Sequence, residues 1–137
     1  MNNPHLINNL KYDLRLYVLV TSYDPLRIYL FEEGLVRFAT YEYNCKLKDI
    51  RKRFMHLTNF SVNKHSKRFV RNCKAEIDGE GSKWSLKALR KYYESVGIDA
   101  QKVPLSIIKL FQRIEEVIIK TCISAEPNML DLHSKCQ

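Results

Sequence analysis

The sequence predicts an α+β fold, in which helices pack against a mainly antiparallel sheet. Three observations indicate this fold. A strand-like run begins at Lys11, a hairpin-like pattern follows from Leu26 to Ala39, and two amphipathic helix patterns follow Ser82. The apolar spacing changes from alternation, typical of strands, to a repeat of about 3.6 residues, typical of helices. A length of 137 residues is enough for one small domain and not for two.

The first strand is predicted to begin at Lys11 and to run to Thr21. Successive strand side chains point to opposite faces. One face is uniformly apolar, and the other begins with three charges and then becomes mostly apolar, so the uncharged half is predicted to be buried on both sides. Two interpretations of the charges stay open: a solvated ion-pair ladder at a sheet end, or the lining of a cleft that binds an anionic ligand. The apolar face comprises Tyr12, Leu14, Leu16, Val18 and Val20, and the charges are Lys11, Asp13 and Arg15.

Leu26–Phe31 and Leu35–Ala39 are predicted to pair as a hairpin around Glu33-Gly34. Glycine supplies the positive φ that such tight turns need. A two-residue turn would place Arg37 on the face that carries Ile28, Leu30 and Ala39. Because an unpaired guanidinium is costly to desolvate, we expect Arg37 to have a carboxylate or phosphate partner.

The first helix is predicted from Lys83 to Val96. Ser82 is a favourable N-cap residue and Gly97 a favourable C-terminal stop. The helical spacing predicts one buried stripe, made of Trp84, Ala88, Leu89, Tyr92 and Val96.

The second helix is predicted to have Pro104 in its first turn and to reach Ala125, before Pro127. Its apolar face is interpreted as core rather than as a groove for a partner. The tail after Glu126 carries mixed polar residues and is expected to fray. The apolar face comprises Ile107, Ile108, Phe111, Ile114, Val117, Ile118, Thr121 and Cys122.

Three polar segments lie between the hairpin and the helices. Tyr41–Arg53 is either a short solvated helix with a basic face or part of a track for an acidic polypeptide. His56–Lys64 is predicted to be a loop rich in small donors and acceptors, which form turns and also bind phosphates or sugars. Within it, His56 is interpreted as a structural, hydrogen-bonded histidine. His65–Ser82 is a predicted loop whose basic cluster is a second candidate for gripping an acidic chain.

The composition gives a formal net charge of +8, which favours an anionic partner such as nucleic acid, an anionic membrane or an acidic protein. The four cysteines, at positions 45, 73, 122 and 136, are widely spaced, and with the scattered histidines they form no zinc pattern. We therefore expect reduced thiols. The N-terminus shows no secretory leader and no apolar stretch is long enough to span a bilayer, so we expect a soluble intracellular protein.

Two long motifs show a resemblance to a known family. KYDLRLYVLVTSYDPLRIYLFEEGLVRFAT, from Lys11, and FMHLTNFSVNK, at Phe54 to Lys64, closely resemble the tubulin–tyrosine ligase-like family, in its polyglutamylase branch. The glycylase branch tends to carry a Trp-Asn-Pro-Leu turn where this chain has Tyr23-Asp24-Pro25-Leu26, which favours glutamylation. The resemblance implies an ATP-grasp fold, in which two α+β lobes hold ATP, and implies that this chain is a partial, central piece of that domain.

The resemblance implies which residues contact ATP. Lys11, Tyr12 and Asp13 match the family's stretch that contacts the nucleotide. Thr58 and Asn59 match a Thr-Asn pair beside the ATP. Mg²⁺ is implied as the companion of ATP, and its ligands in the family lie in motifs that we do not find in this chain, so no metal ligand is assigned.

The resemblance also implies residues for the chemical step and the amino acid. Arg15 matches an arginine near the transferring phosphoryl group, and is the implied catalytic residue. Arg37 matches the arginine that holds the carboxylate of free glutamate, and Ser61 and Lys64 lie where the family contacts it. Phe60 stands where the family usually has tyrosine, which removes a hydroxyl from this region.

The implied function is ATP-dependent ligation of L-glutamate to glutamate side chains in the acidic C-terminal tails of tubulin, through an acyl phosphate. We expect this chain alone to bind ATP weakly and not to catalyse. The alternative is a non-catalytic module that grips tubulin tails or microtubules through its basic loops. Nucleic-acid binding is disfavoured because the aromatics are interpreted as core and no recognised motif occurs. No membrane partner is expected. The implied location is the cytoplasm and cytoskeleton, including the cilium or basal body.

Overall fold

A computed structural model describes residues 3–71, 78–96 and 107–135, with side chains to residue 131. The described part is α+β, with a four-stranded antiparallel sheet, a two-stranded sheet and four α-helices. The strands are β1 (Leu6–Ile7), β2 (Leu10–Arg15), β3 (Val18–Tyr23), β4 (Leu26–Leu30), β5 (Leu35–Glu42) and β6 (Lys83–Ser85). The helices are a 3₁₀ turn (Leu47–Asp49), α1 (Arg53–His56), α2 (Phe60–Asn63), α3 (Leu86–Ser95) and α4 (Ile107–Lys135).

The chain divides into two compact units. The first unit comprises residues 1–16 and 33–92, and the second comprises residues 17–32 and 93–137. The first unit holds the larger sheet, in the order β1-β2-β5-β6 with every neighbouring pair antiparallel. Helices α1 and α2 pack against β5. Every residue of the predicted site lies in this unit.

The core of the first unit is built on the apolar side of this sheet. The rings of Tyr12 and Phe38 lie 5.7 Å apart, Phe38 and Trp84 lie 4.7 Å apart, and Trp84 contacts Tyr92 of α3 at 5.6 Å. Aromatic pairs at these separations contribute a small stabilisation beyond that expected from the apolar area that they bury. The largest fully buried apolar side chains are Ile7, Val36, Leu86 and Leu89.

The long strand predicted from Lys11 to Thr21 is wrong, because the chain forms two strands there. β2 ends at Arg15 in the first unit, and β3 begins at Val18 in the second. Tyr17 at the break is 47% exposed, and Val18 and Leu19 at the start of β3 are 40% and 60% exposed, so this part of the chain is not buried on both faces.

The hairpin around Glu33-Gly34 is also wrong. β4 pairs with β3 across a turn at Asp24-Pro25, and β5 pairs with β2. The competing turn was the stronger one, because proline presets a turn φ and cannot donate to a ladder. Ile28 and Leu30 therefore do not share a face with Arg37, whose neighbours come from β2 and β6.

Gly34 is required for a reason other than its φ. The described glycines with positive φ are Gly79 and Gly81. A Cβ at position 34 would lie 2.3 Å from the carbonyl oxygen of Arg15 and 3.1 Å from Leu86 Cδ1. Glycine thus permits the backbone of β2 to approach the start of β5 closely.

The first long helix begins later than predicted. Lys83–Ser85 form strand β6, and α3 starts at Leu86. The capping hydroxyl belongs to Ser85, whose Oγ accepts the backbone N–H of Ala88 at 3.0 Å. Ser82 instead extends the sheet, since its carbonyl accepts the N–H of Phe38.

The buried stripe predicted for this helix is partly confirmed. Ala88 and Leu89 are buried on α3, whereas Trp84 is buried on β6 and Val96 is 42% exposed. Leu86, which the stripe omitted, is fully buried. The predicted stop at Gly97 lies outside the described residues.

Helix α4 in the second unit runs through Pro127 to Lys135, so the predicted end at Ala125 and the frayed tail are wrong. A proline inside a helix removes one backbone donor without necessarily ending the helix. The apolar face predicted for α4 is half-buried at five of its eight residues and exposed at the other three, such as Ile108 at 66%. None of the side chains described for α4 is buried, so the prediction that this face is core is not confirmed. Pro104 lies outside the described residues. No helix in the described ranges is long and apolar enough to cross a bilayer.

Candidate functional site

The centre of the candidate site is an ion pair between Asp13 on β2 and Arg37 on β5. The two residues are directly opposite each other in the antiparallel register. The Nε of Arg37 donates to Asp13 Oδ1 at 2.9 Å, and its Nη2 donates to Oδ2 at 2.5 Å. This confirms the expectation that Arg37 has a carboxylate partner. The side chains of Arg37 and Asp13 are 25% and 37% exposed, so the pair is partly accessible to solvent.

A third charged residue extends this pair across the sheet. Lys83 on β6 is directly opposite Arg37, on the side away from Asp13. Opposite residues of antiparallel strands project from the same face, so Asp13, Arg37 and Lys83 form one row. Arg15, two residues after Asp13 on the same strand, projects from that face as well and is exposed. We call this set the cationic sheet face: Asp13, Arg15, Arg37 and Lys83.

Lys11 is held at the other end of β2. Its Nζ donates to the carbonyl oxygen of His56 at 2.8 Å. The Nε2 of His56 lies 3.0 Å from the carbonyl oxygen of Asp49, and its ring meets Tyr43 edge-on at 5.7 Å. His56 is therefore a hydrogen-bonded structural residue, as predicted, and it ties Lys11 to the 3₁₀ turn.

The side chain of Tyr12 lies on the opposite side of β2 from those of Lys11 and Asp13. Its ring packs on Phe38 in the apolar core, and its hydroxyl lies 3.0 Å from Nδ1 of His5. Of the three residues expected to contact a nucleotide on β2, Lys11 and Asp13 lie on one side of the strand and Tyr12 on the other.

The segment from Leu57 to Lys64 is organised by Asn63, a residue outside the predicted set. Asn63 is 1% exposed. Its Nδ2 donates to the carbonyl oxygens of Leu57 at 2.7 Å and Asn59 at 3.2 Å, and its Oδ1 accepts the hydroxyl of Thr40 at 3.1 Å. The presence of Asn63 in a polar stretch did not reveal this role, because an asparagine in a polar loop is as typical of ligand contact as of turn formation.

The predicted ligand residues of this segment divide by exposure. Thr58 is buried, at 9% exposed, whereas Asn59, Ser61 and Lys64 are exposed. The side chain of Asn59 makes no capping hydrogen bond to α2. Phe60 is 57% exposed and contacts Phe69 with ring centroids 5.7 Å apart.

A second basic surface lies on the segment from Lys46 to Arg53, which we call the basic segment. Seven of its eight residues are exposed, and it carries five lysines and arginines against one aspartate. Its apolar residues Leu47 and Ile50 are 85% and 68% exposed, so the segment is solvated and basic, as the first interpretation predicted. It forms a 3₁₀ turn at Leu47–Asp49 rather than one continuous helix, and α1 begins at its last residue, Arg53.

Asp49 is the one buried residue of the basic segment, and its contacts stabilise the conformation of that segment. It is buried, at 6% exposed, and its carboxylate accepts Lys52 Nζ at 2.7 Å. The hydrogen bond from Lys52 and a further one from Asn44 hold the pKa of Asp49 below its ordinary value. The contacts of Asp49 hold the 3₁₀ turn in place, and this conformation leaves Leu47 and Ile50 exposed to solvent.

Strand β6 is anchored in a similar way by Asp78. Its carboxylate accepts the backbone N–H of Ser85 at 2.9 Å and also the Ser85 hydroxyl. Burial raises the pKa of Asp78, but the hydrogen bonds from Ser85 outweigh it, so the pKa lies below its ordinary value. Strand β6 could not be predicted from the sequence, because its three residues are too few to show an alternating pattern.

Within residues 3–71, 78–96 and 107–131, no group of three or more His, Cys, Asp or Glu side chains could hold a metal ion. Cys45 and Cys122 are free thiols, while residues 73 and 136 lie outside the described ranges.

The fold and these contacts define an α+β protein with a cationic sheet face, and the chain belongs to the tubulin-tyrosine ligase family, whose family model matches residues 1–137. It is 52% identical over 126 residues to tubulin polyglutamylase TTLL5 of Homo sapiens, covering 92% of this chain and 9% of that protein. It is 46% identical over 132 residues to tubulin monoglutamylase TTLL4 of Mus musculus, covering 96% of this chain and 10% of that protein.

A third relative is a probable beta-tubulin polyglutamylase of Tetrahymena thermophila. It is 43% identical over 138 residues, covering 100% of this chain and 11% of that protein. The chain therefore spans about a tenth of the length of these relatives. Membership of the family confirms the resemblance drawn from the sequence motifs.

Proposed function

We propose that the protein containing this chain is an ATP-dependent ligase that adds glutamate to glutamate side chains of tubulin C-terminal tails. The observation that carries this proposal is identity of up to 52%, over 92% of the chain, to proteins named as tubulin glutamylases. Membership of the same family also supports an ATP-grasp fold for the complete domain. The cationic sheet face supplies the charge that a reaction between anionic partners needs.

The proposed reaction has two steps. A carboxylate oxygen of the tubulin tail attacks the γ-phosphorus of ATP, the bond to the β–γ bridging oxygen breaks, and ADP leaves. The neutral α-amine of free glutamate then attacks the acyl carbon, inorganic phosphate leaves, and the nitrogen loses a proton to water as the amide bond forms. Catalysis of phosphoryl transfer depends chiefly on positioning and charge stabilisation.

The residues of the cationic sheet face fit these needs. Arg15 is exposed and is proposed to stabilise charge on the transferring phosphoryl group. Arg37 is proposed to hold the α-carboxylate of glutamate, because a guanidinium forms paired bonds with a carboxylate, as it does here with Asp13. Lys11 and Asp13 are proposed to contact the nucleotide.

The segment from Leu57 to Lys64 is proposed to complete the binding site. Thr58 and Asn59 would contact ATP, and Ser61 and Lys64 would contact the incoming glutamate. Mg²⁺, when bound with ATP, would supply further neutralisation of phosphate charge, and the described residues provide no cluster to hold it. The proposed partners are tubulin or microtubules and free L-glutamate, in the cytoplasm and on the cytoskeleton, including the cilium or basal body.

The test uses the polypeptide that contains these residues at its native length. Purified protein is incubated with microtubules, ATP and labelled glutamate, and incorporation into tubulin is counted with and without ATP. We expect ATP-dependent incorporation that Arg37→Ala abolishes. The control is Arg27→Ala, which removes an exposed arginine of β4 in the second unit and should leave incorporation unchanged. Wild-type protein that incorporates no glutamate would refute the proposal.

The basic segment favours a second candidate, a non-catalytic module that binds acidic tubulin tails. Its seven exposed residues include five cations beside two exposed apolar side chains. Binding through exposed charges is screened by salt, because the Debye length falls to about 8 Å at physiological ionic strength.

Co-sedimentation with microtubules separates the two candidates. A binding module predicts salt-sensitive binding without ATP, which Arg37→Ala barely affects and a combined Lys46→Ala, Lys48→Ala and Arg51→Ala variant abolishes. Binding that the triple variant retains in full would remove this candidate.

A further inference from the structure

A buried chain of hydrogen bonds joins the segment from Leu57 to Lys64 to strand β5. Thr40 on β5, Asn63 on α2 and Ser66 are 7%, 1% and 8% exposed. Thr40 Oγ1 lies 3.1 Å from Asn63 Oδ1 and 2.8 Å from Ser66 Oγ. Because Asn63 Oδ1 carries no hydrogen, Thr40 donates to it and accepts from Ser66. A buried polar network that is satisfied in this way fixes one arrangement of the segments that carry it.

The side chain of Asn63 also fixes the backbone around Thr58. Its Nδ2 donates to the carbonyl oxygen of Leu57 at 2.7 Å and to that of Asn59 at 3.2 Å. The carbonyl of Asn59 also accepts two backbone N–H groups of α2, so it is held without the side chain of Asn63. The carbonyl oxygen of Leu57 receives its hydrogen bond from Asn63. This bond therefore sets the peptide plane that Leu57 shares with Thr58.

This arrangement leaves the side chain of Asn59 available for a ligand. Asn59 occupies the N-cap position of α2, where an asparagine ordinarily accepts a backbone N–H of the first turn through its side chain. It makes no such bond here, and it is exposed. The bend of the backbone that a cap would stabilise is held from inside by Asn63. Asn59 can therefore contact a ligand without losing a structural hydrogen bond.

The same chain of hydrogen bonds links two parts of the proposed site. Thr40 lies three residues after Arg37 on β5, and Arg37 is proposed to hold glutamate. Thr58 and Asn59 are proposed to contact ATP. A displacement of about 1 Å between reacting groups can lower a rate by about 100-fold. The proposed reaction therefore needs a fixed offset between β5 and the segment that carries Thr58 and Asn59.

We propose that Asn63 is a positioning residue for ATP. It sets the orientation of Thr58 and Asn59 through the carbonyl oxygen of Leu57, and it sets their place relative to β5 through Thr40. Asn63 itself does not touch the nucleotide, because it is 1% exposed and its amide hydrogens and oxygen are engaged inside the protein. This inference rests on the proposed function and deepens it.

The experiment measures KM for ATP and KM for tubulin during glutamate incorporation by the native-length protein, well below the Tm of every variant. Binding of ATP is also measured by calorimetry. Asn63→Ala removes the hydrogen bonds to both segments. Thr40→Val keeps the shape of that side chain and removes its hydroxyl, whereas Thr40→Ser keeps the hydroxyl. Leu89→Ala is the matched control, because Leu89 is fully buried on α3 of the same unit and its truncation loosens the fold without touching the network.

We expect Asn63→Ala to raise both KM and Kd for ATP by about 10-fold, the effect of losing roughly one hydrogen bond, and to leave KM for tubulin within about 2-fold. Thr40→Val should raise KM for ATP by a smaller factor, while Thr40→Ser and Leu89→Ala retain the wild-type value. If Asn63→Ala does not fold, Thr40→Val decides the outcome by itself.

A KM and a Kd for ATP that stay at the wild-type values in Asn63→Ala and Thr40→Val would overturn the inference. An equal rise in Leu89→Ala would overturn it as well, since general loosening of the fold would then account for the effect. Wild-type protein that binds ATP but transfers no glutamate would refute the proposed function alone, because the binding measurements still test Asn63. Wild-type protein that does not bind ATP would refute both.

Discussion

Replacing Asn63 with alanine should destabilise the first unit by about 2–3 kcal/mol. Asn63 is 1% exposed and makes three hydrogen bonds through its side chain. Two go to the carbonyl oxygens of Leu57 and Asn59, and the third comes from the hydroxyl of Thr40. These bonds join the segment from Leu57 to Lys64 to strand β5.

The magnitude follows from what each partner loses. A net intramolecular hydrogen bond contributes about 1 kcal/mol, and a buried group left unpaired costs about 1–3 kcal/mol. Thr40 retains a second partner, because its Oγ1 also lies 2.8 Å from Ser66 Oγ, and a hydroxyl can accept one hydrogen bond while it donates another. The carbonyl oxygen of Asn59 also keeps partners, since it accepts the backbone N–H groups of Val62 and residue 63. The loss is therefore concentrated on the carbonyl oxygen of Leu57. For a chain of this size, it should lower Tm by roughly 10 °C.

The assay is urea unfolding followed by tryptophan fluorescence. Trp84 is the single tryptophan of the chain and is buried in the first unit, so its emission follows that unit. The matched control is Asn59→Ala, because the side chain of Asn59 is exposed and caps nothing. The control should stay within about 0.5 kcal/mol of wild type. If Asn63→Ala also stays within that range, the hydrogen bonds of Asn63 do not hold this segment.

Four further outcomes are expected. Arg37→Ala should reduce unfolding stability by only about 1 kcal/mol, since the ion pair with Asp13 is partly exposed, and calorimetry that gives more than about 3 kcal/mol would contradict this. Gly34→Ala should destabilise by at least about 2 kcal/mol in urea unfolding, because its Cβ would lie 2.3 Å from a carbonyl oxygen. The pKa of Asp49 is lowered in the folded state, so the ionised carboxylate stabilises the fold at pH values above its unfolded pKa, and this stabilisation is lost as the pH falls through the folded pKa. In Asp49→Asn, the free energy of unfolding measured against pH should therefore fall less steeply at acid pH than in wild type. Leu47→Ser should change stability by less than about 0.5 kcal/mol, because Leu47 is 85% exposed, and a larger loss in thermal unfolding would show that it is packed.

Much of the site was predictable because its signals are local. The run of charges on β2, the need of Arg37 for a carboxylate and the structural role of His56 follow from residue chemistry and short-range spacing. The family follows from two long motifs, and the comparison over residues 1–137 confirms it. The roles of Arg15, Thr58, Asn59, Ser61 and Lys64 stay predictions, since position and exposure do not reveal a ligand.

Strand pairing could not be predicted in the same way. Asp24-Pro25 and Glu33-Gly34 were both acceptable turns, and choosing the second paired the wrong strands. The break between β2 and β3 was hidden because apolar side chains continue across it without interruption, although the two strands belong to different sheets. The start of α3 was predicted three residues too early, because Ser82 and Ser85 are equally good N-cap residues by type. Packing of Trp84 on Phe38 keeps residues 83–85 in the sheet, so that Ser85 is the cap.

The amino-acid sequence by itself determined the α+β class, the family, the basic surface and the partner type of Arg37, since all of these depend on residue type and near neighbours. The tertiary structure alone decided that Asp13, Arg37 and Lys83 share one row, because 24 residues separate the first two and the third comes from a distant short strand. Cross-strand register is a non-local property: it is set by which strands meet and where the chain turns. That register places Lys83 beside Arg37, although the two residues lie on strands that are far apart in the sequence.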